Sequence, residues 1–467
     1  MLQIDKLLPK PYYIQIYDYF KHEIESGRMR AGTKLPSMRA LARYTGISKL
    51  TVEKAYFQLA NEGYIVGRRK ARFEAAALSV NKRERAVGQY IKAESGQPPW
   101  KYDFASGDVD LEGFPLILWR RYMHRVLSDP AILLAGQDEQ GAPALREALS
   151  GYMYETRGVH AAADNIIIGN GVTPLLRILG YILRNKHSRI AVEEPGFRLG
   201  REVFRSGGYE IVPLPLRDDG LDVDALAQAD TGLVYVTPSH QFPTGKVMPV
   251  GQRYKLLDWA VQEDGLIIED DYDSELRYEG QPIPALQGLD RSDRVIYLGA
   301  LSKVLPFFVR ISYLVLPDPL VDMYRRERSL FRQSASVPEQ CVLAEYIRSG
   351  EMRKQIRRLR RLYQEKGRKT EYLLQAYFGT AVEVSRVVSG VHCQIAFASP
   401  LSETELTKAA KREGCLVLPM ESFYEKHIDN GVRRFLLSFA RIRTDMLEEA
   451  VAALHRAWTA GGVRNNG

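Results

Sequence analysis

Between residues 12 and 62, apolar side chains recur at helical spacing. Over 12–26 they stand at Tyr13, Ile16, Tyr17, Phe20 and Ile24, which marks one face of a helix. Gly27 and Gly32 bracket a turn, and Ser37 is placed to cap a short helix, MRALARYT, that Gly46 ends. Ser48 caps a third helix over 49–62, with Val52, Ala55, Tyr56 and Leu59 facing inward and Gly63 as its stop. Two short strands, YIVGR and KARFEA, follow. Helix, helix, glycine turn, helix and hairpin is the order of a winged helix-turn-helix.

Residues 76–100 lose this periodicity and end Gly/Pro-rich, which predicts a partly helical linker. From 101 onward the pattern alternates. Apolar, β-branched runs at 166–168, 190–194, 233–237, 266–270, 295–298 and 311–316 predict strands, with helices at 173–184, 197–207 and 250–264. Such alternation predicts an α/β domain with a mainly parallel sheet over 101–467. Residues 320–375 read as almost wholly helical and 380–460 as mixed.

Composition narrows the class. The 467 residues suit two to four domains at roughly 100–200 residues each. Hydrophobic residues at 45% and charged residues at 26% exclude a disordered or collagen-like chain. Three cysteines are too few for a disulfide framework. No apolar run approaches the ~20 residues that span a bilayer, and the first residues lack a signal peptide's apolar core. A soluble, cytoplasmic, metal-free protein is the expectation.

Charge localises a function. The net charge is +8, and residues 1–75 hold fourteen Lys/Arg against seven Asp/Glu, an excess of +7 that leaves +1 for the rest. A basic module with a regular core points to nucleic acid. The third helix opens with Ser48, Lys49, Thr51 and Lys54, short polar and basic groups suited to a major groove. Arg39 and Arg43 can reach phosphates, and the hairpin segment GRRKARF adds Arg68, Arg69, Lys70 and Arg72. A second basic run, 353–369, carries Ile356, Leu359, Leu362 and Tyr363 at helical spacing and reads as an amphipathic helix with a solvated basic face.

The string KLPSMRALARYTGISKLTVEKAYFQLANEGYI resembles the winged helix of GntR-type bacterial regulators, through its LPS-x-R-x-LA start, GIS turn and AY-x-x-L-x-x-EGY end. That resemblance implies DNA contacts by Arg39, Lys49 and Thr51. Lys49 replaces the family's usual Arg, which weakens a bidentate contact to guanine.

Further on, Lys303 follows an apolar strand, where a partly desolvated amine can form a Schiff base. Asp270 ends another apolar strand, and a buried carboxylate there calls for a cationic partner. A protonated pyridine nitrogen is such a partner, so Asp270 with Lys303 is the pairing that pyridoxal phosphate requires. The segment IIIGNGVTP runs strand, glycine turn, helix. Thr173 is placed as N-cap and Pro174 at the first helical position, so backbone N–H groups from Gly171 to Thr173 would face a phosphate. Arg310 adds a second phosphate contact.

Residues 101–460 resemble the fold-type I aminotransferases through, in order, GDVDLEGFP, GAPALREAL, GNGVTP, VEEPGF, VTPSHQFPTGKVMP, EDDYDSE, SK-x(6)-R and FARI. The resemblance implies that Lys303 joins the cofactor's aldehyde, Asp270 meets the pyridine nitrogen and Tyr272 approaches the phenolic oxygen. It further implies that Phe197 stacks on the ring, that Gly171, Val172, Thr173, Ser302 and Arg310 hold the phosphate, and that Arg441 holds a carboxylate. Either His240 or Gln241 stands where many aminotransferases place an asparagine on the phenolic oxygen.

A GntR-type winged helix joined to an aminotransferase-like domain resembles the MocR-type regulators. This implies a homodimer, with DNA as one partner and, as effector, a small amino compound or pyridoxal phosphate itself. The alternative is an aminotransferase enzyme with an appended winged helix.

Overall fold

The structure, a computed structural model, describes residues 2, 4, 5, 8–67, 72–77, 100–109, 114–134, 138–280, 283–426 and 430–459. The chain forms two compact units, Met1–Gln97 and Pro98–Gly467. Most of the expected linker, and with it Arg68 and Arg69, lies outside the described residues.

In the first unit the helices are α1 (Tyr12–Glu25), α2 (Met38–Thr45) and α3 (Lys49–Asn61), followed by the antiparallel pair Ile65–Val66 and Glu74–Ala75. Both expected serine caps form: Ser37 accepts from the Ala40 N–H at 3.1 Å and Ser48 from the Thr51 N–H at 3.2 Å. Gly46 ends α2 at φ +70°, a left-handed position that costs glycine little. Ile16, Phe20, Val52, Tyr56 and Leu59 make one core, each burial contributing on the order of 1.5–3 kcal/mol. The Tyr56 hydroxyl donates to the Pro36 carbonyl at 3.0 Å, so its one polar atom is satisfied.

The second unit is built on an eight-stranded sheet. Its order in space is Ile166–Gly169, Ser312–Val315, Val295–Ala300, Leu266–Asp271, Leu233–Val236, Arg189–Glu194, Glu210–Arg217 and Gly220–Leu221. Pairing is parallel from Val295–Ala300 through Glu210–Arg217, and Ser312–Val315 runs antiparallel to both neighbours. The central strands are buried on both faces, which explains their unbroken apolar runs. Helices such as Val172–Leu183, which buries Leu175, Leu176, Leu179 and Leu183, cover the sheet.

The strand Glu210–Arg217 (EIVPLPLR) was not expected, because Pro213 and Pro215 disguise it. Prolines are tolerated near a sheet edge, where a missing N–H costs least. Helices Asp318–Glu327, Val337–Arg348 and Glu351–Phe378 follow, then a four-stranded antiparallel sheet, Glu383–Val384, His392–Ala398, Val432–Ser438 and Leu418–Pro419. Helix Glu351–Phe378 is amphipathic as expected, with Ile356, Leu359 and Tyr363 buried, but one basic residue of the run lies on the buried face. Lys366 shares the buried face of Leu359, Tyr363 and Thr370, and its ammonium donates to the Ala440 carbonyl at 3.0 Å. Among the described residues, no helix is long and apolar enough to cross a membrane.

Candidate functional site

The chemistry gathers at the carboxyl ends of the parallel strands, where α/β sheets place their ligands. Asp270 and Asp271 end the strand Leu266–Asp271, and both are buried. Their surroundings differ. Asp271 Oδ2 accepts from Arg157 Nε at 2.7 Å and from the Tyr297 hydroxyl at 2.6 Å, so a guanidinium neutralises it. Asp270 Oδ2 accepts from the Tyr235 hydroxyl, whereas Asp270 Oδ1 is buried with no partner among the described residues. Burial pushes the Asp270 carboxyl up to about 7 despite that hydrogen bond. A buried carboxylate oxygen left open is costly, and a cationic N–H donor would satisfy it.

Lys303 follows the strand Val295–Ala300, and its Nζ donates to the Gly107 carbonyl at 2.9 Å. Desolvation pulls the ammonium below its usual range, against the attraction of Asp273 and Asp108. A β-carbon on Gly107 would lie 2.2 Å from Lys303 Nζ and 3.1 Å from His392 Nε2, so a side chain there would have to displace the Lys303 amine. Burial and the neighbouring Lys303 hold the His392 imidazole well below its ordinary range, as a neutral ring. Neither Gly107 nor His392 was singled out from the sequence. Gly107 opens the GDVDLEGFP string that carries part of the family resemblance, and nothing local marks His392.

Gly171, Val172, Thr173, Ser302, Arg310 and Asp108 line a cavity of about 220 Å³. Gly171 is the N-cap of the helix Val172–Leu183, at φ +87°. This corrects the placement of Thr173 as cap: the helix begins at Val172, and Thr173 and Pro174 lie within its first turn. The first-turn N–H groups of Val172 and Thr173 have no intrahelical acceptor, the arrangement that favours anions. Arg310, at φ +38°, stacks its guanidinium 4.8 Å from the Phe307 ring centre, and a β-carbon on Gly171 would come within 3.5 Å of Arg310 Nη2.

Phe197 lies nearly parallel to Tyr235, with ring centres 6.3 Å apart and planes 22° apart. Tyr272 stands on the other side of the open carboxyl in sequence, and its hydroxyl meets His240 Nδ1 at 3.1 Å. Of the two neighbours, His240 is the one that faces Tyr272. Gln241 Nε2 donates to Glu193 at 3.1 Å and to the Pro195 carbonyl at 3.0 Å, so it serves the strand ends. Arg441 is half exposed and pairs with Asp103 at 3.5 Å and Asp108 at 3.9 Å. Asp108 also lines the cavity, which ties Arg441 to the site's rim.

In the first unit Arg39 and Lys49 are exposed at the starts of α2 and α3. The Thr51 hydroxyl is 2.8 Å from the Ser48 hydroxyl, and Lys54 Nζ lies 4.0 Å from the Tyr13 ring centre. Thr51 and Lys54 are thus held by neighbours in the first turns of α3, beside the exposed cation of Lys49.

Fold and site define the class: a winged helix-turn-helix unit joined to an aminotransferase-like α/β unit. A family model described as aminotransferase class I and II matches residues 101–454, and one described as bacterial regulatory proteins, gntR family, matches residues 12–74. The HTH-type transcriptional regulator YdeL of Bacillus subtilis (strain 168) is 37% identical over 97% of this chain and 98% of its own length. MocR of Rhizobium meliloti, a probable rhizopine catabolism regulatory protein, is 31% identical over 98% of this chain and 96% of its own. An archaeal alanine:glyoxylate aminotransferase structure superposes with a TM-score of 0.71 at 25% identity, covering 77% of this chain and 91% of that one. The chain belongs to the MocR-like transcriptional regulators, DNA-binding proteins in which a GntR helix-turn-helix is fused to an aminotransferase class I/II domain.

Proposed function

We propose that this chain is a pyridoxal-phosphate-dependent transcription regulator of the cytoplasm. In this reading residues 1–75 read DNA, 76–100 link, and 101–467 sense a small amino compound. The observation that carries it is the open, buried Oδ1 of Asp270, which a pyridine N–H would complete. Lys303 holds the aldehyde, Tyr272 faces the phenolic oxygen and Phe197 covers the ring. Gly171, Val172, Thr173, Ser302 and Arg310 hold the phosphate, and Arg441 takes an effector carboxylate. The cofactor supplies an aldehyde that can exchange the lysine amine for another amine. Arg39, Lys49, Thr51, Arg68 and Arg69 contact the operator, two-fold related in a homodimer.

An effector acts on such a protein only through different affinities for its DNA-competent and DNA-incompetent states. Duplexes selected from a random library by the loaded protein provide the probe. Fluorescence anisotropy then follows binding while amino compounds are added, with wild type and Lys303→Ala in parallel. The expected result is that both bind DNA and that only wild type responds to an amine. An equal response from Lys303→Ala overturns the sensing role. A response to pyridoxal phosphate alone assigns the cofactor as the effector, and steady turnover of an amino donor with a keto acid favours an enzyme.

A further inference from the structure

Two side chains beside Tyr272, Asp273 and His240, form a hydrogen-bonded pair whose effect on Tyr272 is not covered by the roles assigned above. Asp273 is 1% exposed, and its Oδ2 lies 2.8 Å from His240 Nδ1. The same Nδ1 lies 3.1 Å from the Tyr272 hydroxyl oxygen. One ring nitrogen therefore faces two oxygens, and the tautomer follows from what those oxygens can do. The carboxylate only accepts, so an unprotonated Nδ1 would set lone pair against lone pair. Nδ1 must carry hydrogen, and the Tyr272 oxygen can then only accept from it.

We infer that His240, fixed by Asp273, is a positioning residue for Tyr272: its Nδ1–H is shared between the carboxylate and the tyrosine oxygen, which turns the tyrosine's own proton outward as a donor. Resting on the proposed function, that donor serves the cofactor's phenolic oxygen.

The surroundings hold the imidazole in this pose. Its ring lies nearly parallel to Tyr272, with centres 6.0 Å apart and planes at 18°. Gly390, at φ +70°, closes the other side: a β-carbon there would lie 2.6 Å from Asp273 Oδ2 and 2.9 Å from His240 Cε1. A β-carbon on Gly245 would lie 3.3 Å from Nε2. The Gly390 N–H donates to the Leu276 carbonyl at 2.9 Å, which anchors that wall. The charged and titratable groups acting on the ring are Asp273 and Arg277, and His392 senses its charge. Burial opposes a charge on His240, but Asp273 outweighs it and raises the imidazole above its ordinary range, so the ring keeps its Nδ1 hydrogen. Among the described residues His240 is the one hydrogen-bond partner of the Tyr272 hydroxyl.

A donor on the phenolic oxygen withdraws negative charge that would otherwise help keep a proton on the neighbouring nitrogen held at the aldehyde carbon. Loss of the donor therefore raises the midpoint at which the cofactor's absorbance changes with pH. The experiment is that titration on loaded full-length protein: wild type, Tyr272→Phe, His240→Leu, His240→Asn and the Tyr272→Phe/His240→Leu double variant. His240→Leu is expected to raise the midpoint by roughly 0.5–1 pH unit, the scale of a weakened charge-assisted hydrogen bond. His240→Asn, whose amide nitrogen occupies the Nδ1 position, restores it. In the Tyr272→Phe background the leucine has no further effect. An unshifted midpoint in His240→Leu, or an equal shift with and without the Tyr272 hydroxyl, overturns the inference and leaves the cofactor reading standing. A wild-type protein with no such absorbance overturns the cofactor reading itself.

Discussion

Tyr235 donates its hydroxyl to Oδ2 of Asp270, and Oδ1 of the same buried carboxyl has no hydrogen-bond partner among the described residues. One residue further, Asp271 is matched to Arg157 at 2.7 Å. The chain neutralises one carboxylate of the pair from within, and among the described residues it gives the other no cationic partner.

That asymmetry sets opposite signs for stability and binding in Asp270→Asn. The Asp270 carboxyl is raised to about 7 in the fold, so the cofactor-free fold binds its proton more tightly than the unfolded chain. The resulting penalty is fully developed above pH 7, shrinks as pH falls, and vanishes below the unfolded carboxyl range near ~4. Asp270→Asn should therefore raise the melting temperature of cofactor-free protein at pH 8 by roughly 2–4 °C. The gain should fade toward pH 4. The same variant should bind pyridoxal phosphate about tenfold or more weakly, the worth of a charge-assisted hydrogen bond. Calorimetry and cofactor titration read the two effects separately.

Gly107→Ala tests the approach of backbone to Lys303. The added carbon would sit 2.2 Å from the ammonium, which is the far end of a flexible side chain. The fold can yield by moving Lys303, so the melting temperature should change by less than ~2 °C, the scale of a mild surface-like change. Cofactor loading, followed by absorbance, should slow or fail. Normal loading would mean that the Lys303–Gly107 contact does not place the amine.

Arg441 pairs with Asp103 and Asp108 at 3.5–3.9 Å while half exposed, and such pairs contribute about 0–1 kcal/mol. Arg441→Gln should leave stability and cofactor absorbance near wild type and weaken the response to carboxylate-bearing amines. An unchanged response in the anisotropy assay would assign Arg441 to the ion pair alone.

For the DNA-reading unit, removing one cation that neutralises a phosphate should reduce the slope of log affinity against log salt by about 0.9. Arg39→Ala is expected to show that reduction across all duplexes. Lys49→Ala, at the start of α3, should also relax base preference in a selected library. A salt slope unchanged by both would place the interface elsewhere on the unit.

Much of this was legible because the residues that matter sit at boundaries the sequence marks. Ser37 and Ser48 precede helices, and Asp270 and Lys303 follow buried apolar runs, so type and position together pointed to the winged helix and the cofactor pair. What stayed hidden depended on contacts between distant segments. Nothing local distinguishes His240 from Gln241; the difference is that Asp273 and Tyr272 turn to one and Glu193 to the other. Gly107 and His392 are far apart in the chain yet flank one amine. Lys366 belongs to a run whose basic face reads as solvated, although its phase with Leu359, Tyr363 and Thr370 places it inside. The helix at Val172 starts earlier than its Thr-Pro pair suggested, because Gly171 at φ +87° lets the chain turn there.

Pyridoxal phosphate is expected on Lys303, one lysine among many. Reduction of the loaded protein with borohydride, then digestion and peptide mass analysis, tests it most directly. The expected result is a phosphopyridoxyl adduct on the peptide containing Lys303, absent from Lys303→Ala. An adduct confined to other lysines, or none at all, would contradict it.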